Sequence, residues 1–352
     1  MKELKVAVIG CGTIGTGEHI PAYSKNPNAQ LKYVCDIIPE RARAMAEKYY
    51  VPNMLENYRE LLDDPEVEAV SVCTPNYTHA PIAIDLLRAG KNVLCEKPAS
   101  VNADLAAQMK QAADESGKIL NIGVVNRFNT AVNKIKEIID RGDLGGIYHV
   151  YCSFRAHRSI PGLGGPFTTK AMAGGGVLID WGVHYIDLIF YCIGAPKVLS
   201  VSGETYSVLG RDMEKYVYTD MWAGPPDYSG VYDVEDFVTG LVRTEGPTVS
   251  LNGAWAQNIG EPATFIEFLG DKGGIKLQYG GDFTVYSADN GVLYRTDSTF
   301  KKADMFYDEI DGFLHSAAAN TKNRGNIDNV LITSQVMDAI YKSSSLKKEV
   351  LF

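Results

Sequence analysis

The sequence predicts an α/β protein of two domains, in which a doubly wound parallel sheet is followed by an α+β domain with a large, mainly antiparallel sheet. A chain of 352 residues is longer than one ordinary hydrophobic core organises. Short apolar strands alternate with helical patterns as far as residue 124. Beyond that point, strands of alternating polarity follow one another and are separated by glycine-containing turns. We therefore place the two domains at residues 1–124 and 125–352.

The first strand leads into a glycine-rich turn. The run Leu4–Ile9 is apolar and β-branched, and a G-x-G-x-x-G pattern opens the predicted helix after it, with the residues Gly10, Cys11, Gly12, Thr13, Ile14 and Gly15. Glycines at these positions allow the backbone to approach a pyrophosphate held at a helix N-terminus. We expect this turn to bind a dinucleotide.

The second strand, 31–35, ends in an acidic residue, Asp36. A carboxylate at this position accepts hydrogen bonds from the adenosine ribose. It also repels a 2′-phosphate, which favours NAD as the cofactor. Arg41 and Arg43 begin the next helix and keep NADP open as an alternative.

Strands and helices continue to alternate beyond this point. We predict strands at 67–73, 92–95 and 118–124, and helices at 80–89 and 103–116. Ligands of such sheets bind beyond the carboxyl ends of the strands. Two loops lie at those ends.

The first of these loops is expected to contact the cofactor through Thr74, Pro75, Asn76 and His79. In the alternative interpretation, Thr78 only caps a helix that begins at Ala80, and His79 lies on the surface.

The second loop is Glu96-Lys97-Pro98. The proline restricts Lys97 to an extended backbone at the tip of a strand, so the backbone aims the ammonium group. An ordinary surface lysine is the alternative, but this position favours a functional one.

In the second half of the chain, predicted strands follow one another without helices between most of them. A helix is predicted at 129–141 and another at 329–342, and strands are predicted at 147–155, 198–203, 234–243, 248–256, 264–269 and 274–277. The tyrosine-rich segment 206–232 is interpreted as an insertion near the cleft or as an oligomer contact. The glycine-rich loop 162–170 is expected to close over a substrate.

One buried helix is predicted to carry three ionisable residues. Residues 178–190 follow three glycines, Gly174 to Gly176, and are apolar at nearly every position. The main exceptions are Asp180, His184 and Asp187, which are spaced i, i+4 and i+7 and so lie on one side of a helix. This stripe either faces water or faces a cleft in the protein, and the apolar residues that flank it favour the cleft. Burial there would let Asp180 perturb the pKa of His184, as in a general acid/base pair.

Five further residues are weaker candidates for contacts with a polyhydroxylated substrate: Asn126, Arg127, Arg155, His157 and Lys170. Each of them, and Arg158 beside them, could equally well be an ordinary surface residue.

The composition restricts the class of partner and the compartment. A net charge of −9 argues against nucleic acid or an anionic membrane as the main partner and favours a small molecule. The six cysteines form no C-x-x-C pair, so we expect free, buried thiols in a cytoplasmic protein. Neither cysteines nor histidines have the spacing of a metal site, and no metal is expected. No apolar run is long enough to cross a membrane, so we expect a soluble protein.

Taken together, the glycine turn, Thr74-Pro75-Asn76 with His79, Glu96-Lys97-Pro98, and the glycine run followed by Asp180, Gly182, His184 and Asp187 resemble the Gfo/Idh/MocA family. That family comprises NAD(P)-dependent oxidoreductases of sugars, inositols and related polyols. The resemblance implies a Rossmann domain and an open-faced sheet through which members often form dimers or tetramers. We therefore expect a homodimer or homotetramer.

The resemblance also implies roles for individual residues. Lys97 is similar to the catalytic lysine of the family, and Asp180 and His184 are similar to the residues that complete its site. Glu96 and Pro98 would position Lys97, with a cis peptide bond possible between Lys97 and Pro98. In such a reaction His184 is the natural base for a hydroxyl proton, Asp180 orients its imidazole, and Lys97 stabilises negative charge on the oxygen.

Two alternatives to a dehydrogenase of CH–OH groups stay open at this point. One is a glycosidase that oxidises its sugar transiently, eliminates the aglycone and returns the hydride from a tightly bound NAD. The other is a regulator that senses NAD(P) without turnover. Relatives of the second kind tend to lose the catalytic residues, whereas Lys97, Asp180 and His184 are all present here.

Overall fold

The computed structural model describes residues 2–219 and 221–352. The chain forms two compact units, of which the first contains residues 1–128 and 303–331 and the second contains residues 129–302 and 332–352. The boundary near residue 128 lies close to the one expected at 124. Residues 303–331, however, were expected in the second domain and belong to the first unit. Ile310, Phe313 and Leu314 explain this, because they are buried in the core of the first unit.

The first unit contains a six-stranded parallel sheet in the order β3-β2-β1-β4-β5-β6. Its strands are Leu4–Ile9 (β1), Ala29–Cys35 (β2), Asn53–Leu55 (β3), Ala69–Val72 (β4), Asn92–Glu96 (β5) and Leu120–Gly123 (β6). This is the doubly wound order of dinucleotide-binding folds, so the fold class predicted for the first half is confirmed.

Four helices connect these strands: Ile20–Lys25 (α1), Pro39–Tyr49 (α2), Asn76–Arg88 (α3) and Ala103–Ser116 (α4). A π-helical turn, Gly15–His19, leads directly into α1, and short 3₁₀ turns lie at Tyr58–Leu61 and Val125–Phe128. The bounds of α4 follow from local chemistry. The Asn102 side chain accepts a hydrogen bond from the Leu105 N–H at 2.9 Å, and Gly117 ends the helix at φ 65°.

Helix α3 begins four residues earlier than predicted. It starts at Asn76, with Pro75 preceding it, and so includes the part of the loop in which Thr78 was an alternative cap. The Thr78 hydroxyl donates to the Pro75 carbonyl at 2.7 Å from within the first turn. Thr78 is therefore not the cap of a helix at Ala80.

The second unit contains a nine-stranded sheet in the order β14-β13-β12-β11-β7-β10-β9-β8-β15. Its strands are Ile147–Arg155 (β7), Val198–Tyr206 (β8), Phe237–Thr244 (β9), Thr248–Ala254 (β10), Ala263–Gly270 (β11), Gly273–Gln278 (β12), Phe283–Asp289 (β13), Val292–Asp297 (β14) and Val350–Leu351 (β15). The pair β7 and β10 is parallel, and the other neighbours are antiparallel. The predicted mainly antiparallel sheet is thus confirmed.

In this unit one helix, Thr130–Asp140 (α5), precedes β7. Two helices, Lys170–Ala173 (α6) and Val183–Cys192 (α7), follow β7 and precede β8. The π-helical turn Leu178–Gly182 runs directly into α7. Most of α7 is buried, and Tyr185 lies 4.9 Å from the ring of Phe154 on β7. The apolar helix predicted at 178–190 therefore lies within the core of the second unit.

Two further helices complete the chain, Met305–Ala319 (α8) and Ile327–Leu346 (α9). The six cysteines are buried and free, as expected. Across residues 2–219 and 221–352, no helix has the length and apolarity needed to cross a membrane.

Candidate active site

The predicted site residues are divided between the two units. In the first unit, the glycine turn has the geometry of a phosphate-binding turn. A Cβ atom at Gly10, which has φ 98°, would lie 2.3 Å from the Cys73 carbonyl oxygen, and one at Gly15 would lie 2.0 Å from the Gly10 carbonyl oxygen. A Cβ atom at Gly12 would meet nothing within 4 Å. Two of the glycines thus allow close packing of the backbone, and the third leaves open space beside the helix start.

The end of β2 supplies an acidic side chain to the same turn. One Asp36 carboxylate oxygen accepts the Cys11 N–H at 2.7 Å, and the other accepts the Ile38 N–H at 2.8 Å. These two hydrogen bonds fix a carboxylate next to the glycine turn. Each oxygen has a second lone pair for a ribose hydroxyl.

These features fit NAD as the dinucleotide. The open backbone at Gly12, the adjoining Thr13 and Ile14 and the fixed carboxylate of Asp36 are the groups that would hold its pyrophosphate and ribose. When bound, NAD supplies a carbon that accepts or donates hydride.

Lys97 lies just past the end of β5, and the residue before it holds its backbone. The Glu96 carboxylate accepts the Lys97 N–H at 3.0 Å. The peptide bond between Lys97 and Pro98 is cis, as the family resemblance allowed. Lys97 itself is half-buried, in contrast to an ordinary surface lysine.

Glu96 belongs to a buried network that the sequence did not reveal. His19, with 0% exposure, has its Nε2 atom 2.9 Å from Glu96 Oε1 and its Nδ1 atom 3.1 Å from the Ser71 hydroxyl. The Tyr23 hydroxyl lies 2.8 Å from the same Ser71 oxygen. Four side chains on the π-helical turn, α1, β4 and β5 therefore form one chain of contacts that ends at the Lys97 backbone.

The charge state of Glu96 follows from two opposing influences. Burial, the largest influence, favours the neutral acid, whereas the His19 hydrogen bond and the charges of His19 and Lys97 favour the carboxylate. Together these partners hold the pKa of Glu96 below its ordinary value. Glu96 is thus an ionised group in the interior, next to Lys97.

His79 connects the two loops at the strand ends. It is buried, and its Nδ1 and Nε2 atoms each lie 2.7 Å from a backbone carbonyl, those of Pro98 and Thr74 respectively. Burial lowers the pKa of His79, although both carbonyls oppose the shift. The surface alternative for His79 is therefore wrong, and its ring joins the Thr74 loop to the Lys97 loop. Thr74 and Pro75 lead into α3, which begins at Asn76 at this junction.

In the second unit, Asp180 lies in the π-helical turn and His184 lies in the first turn of α7. Asp180 is 8% exposed and accepts a hydrogen bond from the Trp255 indole N–H at 3.2 Å. Asp187 is 1% exposed and accepts from the Thr333 hydroxyl at 3.2 Å. His184 is half-buried. A water-facing stripe is excluded by the burial of both aspartates, and Asp187 has a structural partner within the core.

Arg127 is placed differently from the expectation. It is 2% exposed, and its guanidinium donates to the carbonyls of Arg324 at 2.7 Å and Asn329 at 2.9 Å. We correct its expected substrate contact to a structural contact between parts of the first unit. Asn126, beside it, is also buried.

The three candidates of the second unit are more exposed than Arg127. Arg155 ends β7, where its Nε donates to the Ser153 hydroxyl at 3.0 Å. His157 lies two residues beyond the end of this strand. Lys170 begins α6 with an exposed side chain, and its N–H donates to Asp233 at 2.6 Å.

The loop 162–170 packs on the tyrosine-rich segment. Backbone N–H groups of Ala223 and Asp227 donate to the Pro161 and Leu163 carbonyls at 2.7 and 2.8 Å. Phe167 and Trp222 form an edge-to-face pair with ring centroids 4.9 Å apart. The two segments therefore form one continuous wall within the second unit.

Comparisons with known proteins agree with these features. Residues 4–124 match the model of an oxidoreductase family with an NAD-binding Rossmann fold, and residues 132–276 match the GFO/IDH/MocA C-terminal domain. The chain is 29% identical to the D-glucoside 3-dehydrogenase of Escherichia coli (strain K12), over 97% of this chain and 95% of that protein. It is also 29% identical to the scyllo-inositol 2-dehydrogenase (NAD(+)) of Bacillus subtilis (strain 168), over 61% of this chain and 60% of that protein.

A solved structure shows the same fold over the whole chain. Levoglucosan dehydrogenase, in its complex with NADH and L-sorbose, superimposes with a TM-score of 0.87 at 22% identity, covering 100% of this chain and 99% of that one. The two family models together cover most of the sequence, in the same order as the two sheets. The chain therefore belongs to the Gfo/Idh/MocA family of oxidoreductases and has that family's NAD-binding Rossmann domain.

Proposed function

We propose that this protein is an NAD-dependent dehydrogenase that interconverts a secondary alcohol and a ketone on a sugar, an inositol or a related polyol. The observation that carries the proposal is the support of Lys97, whose backbone is held by the ionised, His19-paired Glu96 at the end of β5. Relatives named as glucoside and inositol dehydrogenases support the substrate class.

The chain supplies three chemical groups to this reaction. His184 accepts the hydroxyl proton, since histidine is the side chain that ordinarily exchanges protons near neutral pH. Asp180, whose carboxylate accepts a hydrogen bond from the Trp255 indole, orients the imidazole in this proposal. Lys97 stabilises negative charge on the reacting oxygen. In the reverse direction the same groups return the proton to a ketone.

Substrate hydroxyls need donors and acceptors around this catalytic set. Arg155, His157 and Lys170 supply them in our proposal. A ring of such donors also tolerates a carboxylate or phosphate on the substrate.

We also infer a cytoplasmic homodimer or homotetramer. The six free, buried cysteines support a reducing compartment. The exposed apolar side chains Leu293 and Tyr294 on β14 support association through the nine-stranded sheet. Light scattering after gel filtration tests the assembly, and a monomer at micromolar concentration would contradict it.

Initial rates of nicotinamide reduction test the proposed activity. We expect turnover with NAD on at least one member of a panel of inositols, aldoses, deoxy sugars and sugar acids, and weaker turnover with NADP because Asp36 repels the 2′-phosphate. Lys97→Ala and His184→Ala should each lower kcat by roughly 100-fold or more while NADH binding, measured by fluorescence, persists. The matched control is Lys48→Ala, because Lys48 is an exposed lysine on α2.

The outcomes separate the alternatives. Wild-type rates in either catalytic variant would overturn the assigned roles. Release of an aglycone without net reduction would identify the transient-oxidation glycosidase. NADH binding without turnover on substrates in either direction would identify a sensor.

A further inference from the structure

Glu235 binds the first turn of the helix that carries Asp180 and His184. Its carboxylate accepts the Gly176 N–H at 2.9 and 3.0 Å and the Leu178 N–H at 3.0 Å, while its own carbonyl accepts the Val177 N–H at 3.2 Å. The first N–H groups of a helix have no partner within it, and a negative charge is favourable there. One residue thus satisfies three successive N–H groups at this helix start.

A tyrosine from another helix completes the arrangement. Tyr341, on α9, donates its hydroxyl to Glu235 Oε1 at 2.8 Å. Glu235 is 7% exposed, so this carboxylate is held almost entirely by protein groups. We call this arrangement the Glu235 clasp; it consists of Glu235, Tyr341 and the turn at Gly175 and Gly176.

The clasp explains two of the three glycines. A Cβ atom at Gly176 would lie 1.9 Å from the Glu235 carbonyl oxygen, and one at Gly175 would lie 2.0 Å from the Tyr341 hydroxyl. A side chain at either position would displace the clasp. The glycines therefore permit the close approach on which its hydrogen bonds depend.

The clasp also reaches Asp180 by two routes. Along the helix, the Asp180 N–H donates to the Gly176 carbonyl at 3.0 Å. Across the fold, the Trp255 backbone N–H donates to the carbonyl of Asp236 at 2.9 Å, next to Glu235, and the Trp255 indole holds the Asp180 carboxylate. A displacement of Glu235 would therefore move both the backbone of Asp180 and the indole that orients it.

We propose that Glu235 is a positioning residue for the reaction: through the glycine turn and Trp255 it fixes the orientation of Asp180 and His184. This inference rests on the proposed function, because it assumes that those two residues act on the substrate. Small displacements of reacting groups are costly, with losses of up to about 100-fold for 1 Å.

Glu235→Gln tests the proposal, because it keeps the volume but replaces one acceptor oxygen with an NH₂ group, which donates hydrogen bonds and cannot accept them. We expect kcat to fall by roughly tenfold or more, the NADH dissociation constant to stay within about twofold, and the pH profile of kcat/KM to shift. Glu235→Asp keeps the charge and should recover part of the loss. The matched control is Glu245→Gln, in an exposed turn of the same unit, which should behave as wild type.

The pH profile separates positioning from simple loss of folded protein. A smaller folded fraction scales the whole profile and lowers the number of NADH sites, without moving the profile along the pH axis. An unshifted profile in Glu235→Gln would overturn the proposal. If that variant does not fold, Tyr341→Phe removes a single hydrogen bond from the clasp and should produce a smaller shift in the same direction, and an unmoved profile there would overturn it equally.

A second readout needs no activity. In ¹⁵N-tryptophan-labelled protein, the indole N–H resonance of Trp255, assigned with Trp255→Phe, should move in Glu235→Gln, while that of the half-exposed Trp222 should not. A wild type without turnover would refute the proposed function. An active wild type with a Glu235→Gln variant of unchanged profile and unchanged Trp255 resonance would refute the positioning role alone.

Discussion

At the scale of single residues, the least expected feature is the buried imidazole of His19. It contacts Glu96 on one side and Ser71 on the other, and Glu96 in turn accepts the Lys97 N–H. A carboxylate in the interior is stable when it has a charged or hydrogen-bonding partner, and removal of that partner leaves the charge uncompensated. His19 is therefore expected to stabilise the fold as well as the position of Lys97.

His19→Leu should lower the free energy of unfolding by about 3–5 kcal/mol at pH 7. The pKa of Glu96 in the folded protein lies below its ordinary value of 4.5. The ionised group therefore adds stability above about pH 4.5, and this contribution is lost as the pH falls through the folded pKa. The difference between variant and wild type should accordingly be smaller at pH 4 than at pH 7 in urea unfolding.

Tyr23→Phe is the control for this prediction. It removes one hydroxyl contact to Ser71 and should cost about 1 kcal/mol at both pH values, because neither side chain titrates in that range. A His19→Leu variant whose deficit is the same or larger at pH 4 would show that Glu96 is not the group that His19 stabilises.

The site residues that could be predicted are those marked by local sequence. Lys97 and Asp36 follow apolar strands, and Asp180 and His184 interrupt an apolar helix. His19, Ser71 and Glu235 lack such a mark, because their partners are separated from them by 48 residues or more. Pairing over such separations depends on the sheet order and helix packing, which local patterns do not encode.

At the scale of elements, substitutions in the glycine turn between β1 and α1 are expected to have different effects on folding and on cofactor binding. Gly12→Ala should change the free energy of unfolding by less than about 0.5 kcal/mol, because its Cβ meets nothing within 4 Å. It should nevertheless raise the NADH dissociation constant at least roughly tenfold, since the methyl group occupies the space that the pyrophosphate needs.

Gly15→Ala is the matched comparison within the same turn. Its Cβ would meet the Gly10 carbonyl oxygen at 2.0 Å, so the backbone must shift, at a cost of about 1–3 kcal/mol. Chemical denaturation and fluorescence titration of both variants check the pair. If Gly12→Ala and Gly15→Ala changed the free energy of unfolding equally and also changed the NADH dissociation constant equally, the assignment of this turn as the pyrophosphate site would be contradicted.

The regular elements whose bounds were predicted correctly have clear apolar patterns, whereas the hairpin of β13 and β14 does not. The bounds of Leu4–Ile9, Ala103–Ser116 and Ile147–Arg155 agree with the sequence-based ones. The hairpin of β13 and β14 was missed because every residue of β14 is exposed, so there is no buried face to produce alternation. The Asn290-Gly291 dipeptide, which is typical of hairpin turns, was the sequence signal for this hairpin. In the structure its two residues have φ 47° and 77°.

At the scale of the whole molecule, the first unit is completed by a segment far along the chain. Residues 303–331 bring α8 to the core formed by Val6, Val8 and Leu94. The sequence did not predict this return, since the membership of Val8 and Phe313 in one buried cluster leaves no local trace in the sequence. Burial of each large apolar side chain of α8 contributes roughly 1.5–3 kcal/mol.

A fragment of residues 1–128 joined by a flexible linker to 303–331 should therefore unfold cooperatively and bind NADH. The fragment 1–128 alone should do neither, because one side of its sheet loses Ile310, Phe313 and Leu314. Phe313→Ala in the joined fragment should cost about 3–5 kcal/mol. Thermal unfolding monitored by circular dichroism checks all three, and a cooperative transition in 1–128 alone would contradict the assignment of α8.

The transfer of deuterium from substrate to cofactor tests the central claim most directly. The purified protein would be incubated with NAD and with a polyol that gives turnover. The polyol would be either unlabelled or deuterated at every carbon, and the mass of the reduced cofactor would be measured by mass spectrometry. We predict a reduced nicotinamide that carries one deuterium from the labelled substrate and none from the unlabelled one. A reduced cofactor without the label, or fully oxidised NAD beside a substrate converted in other ways, would contradict direct hydride transfer by this protein.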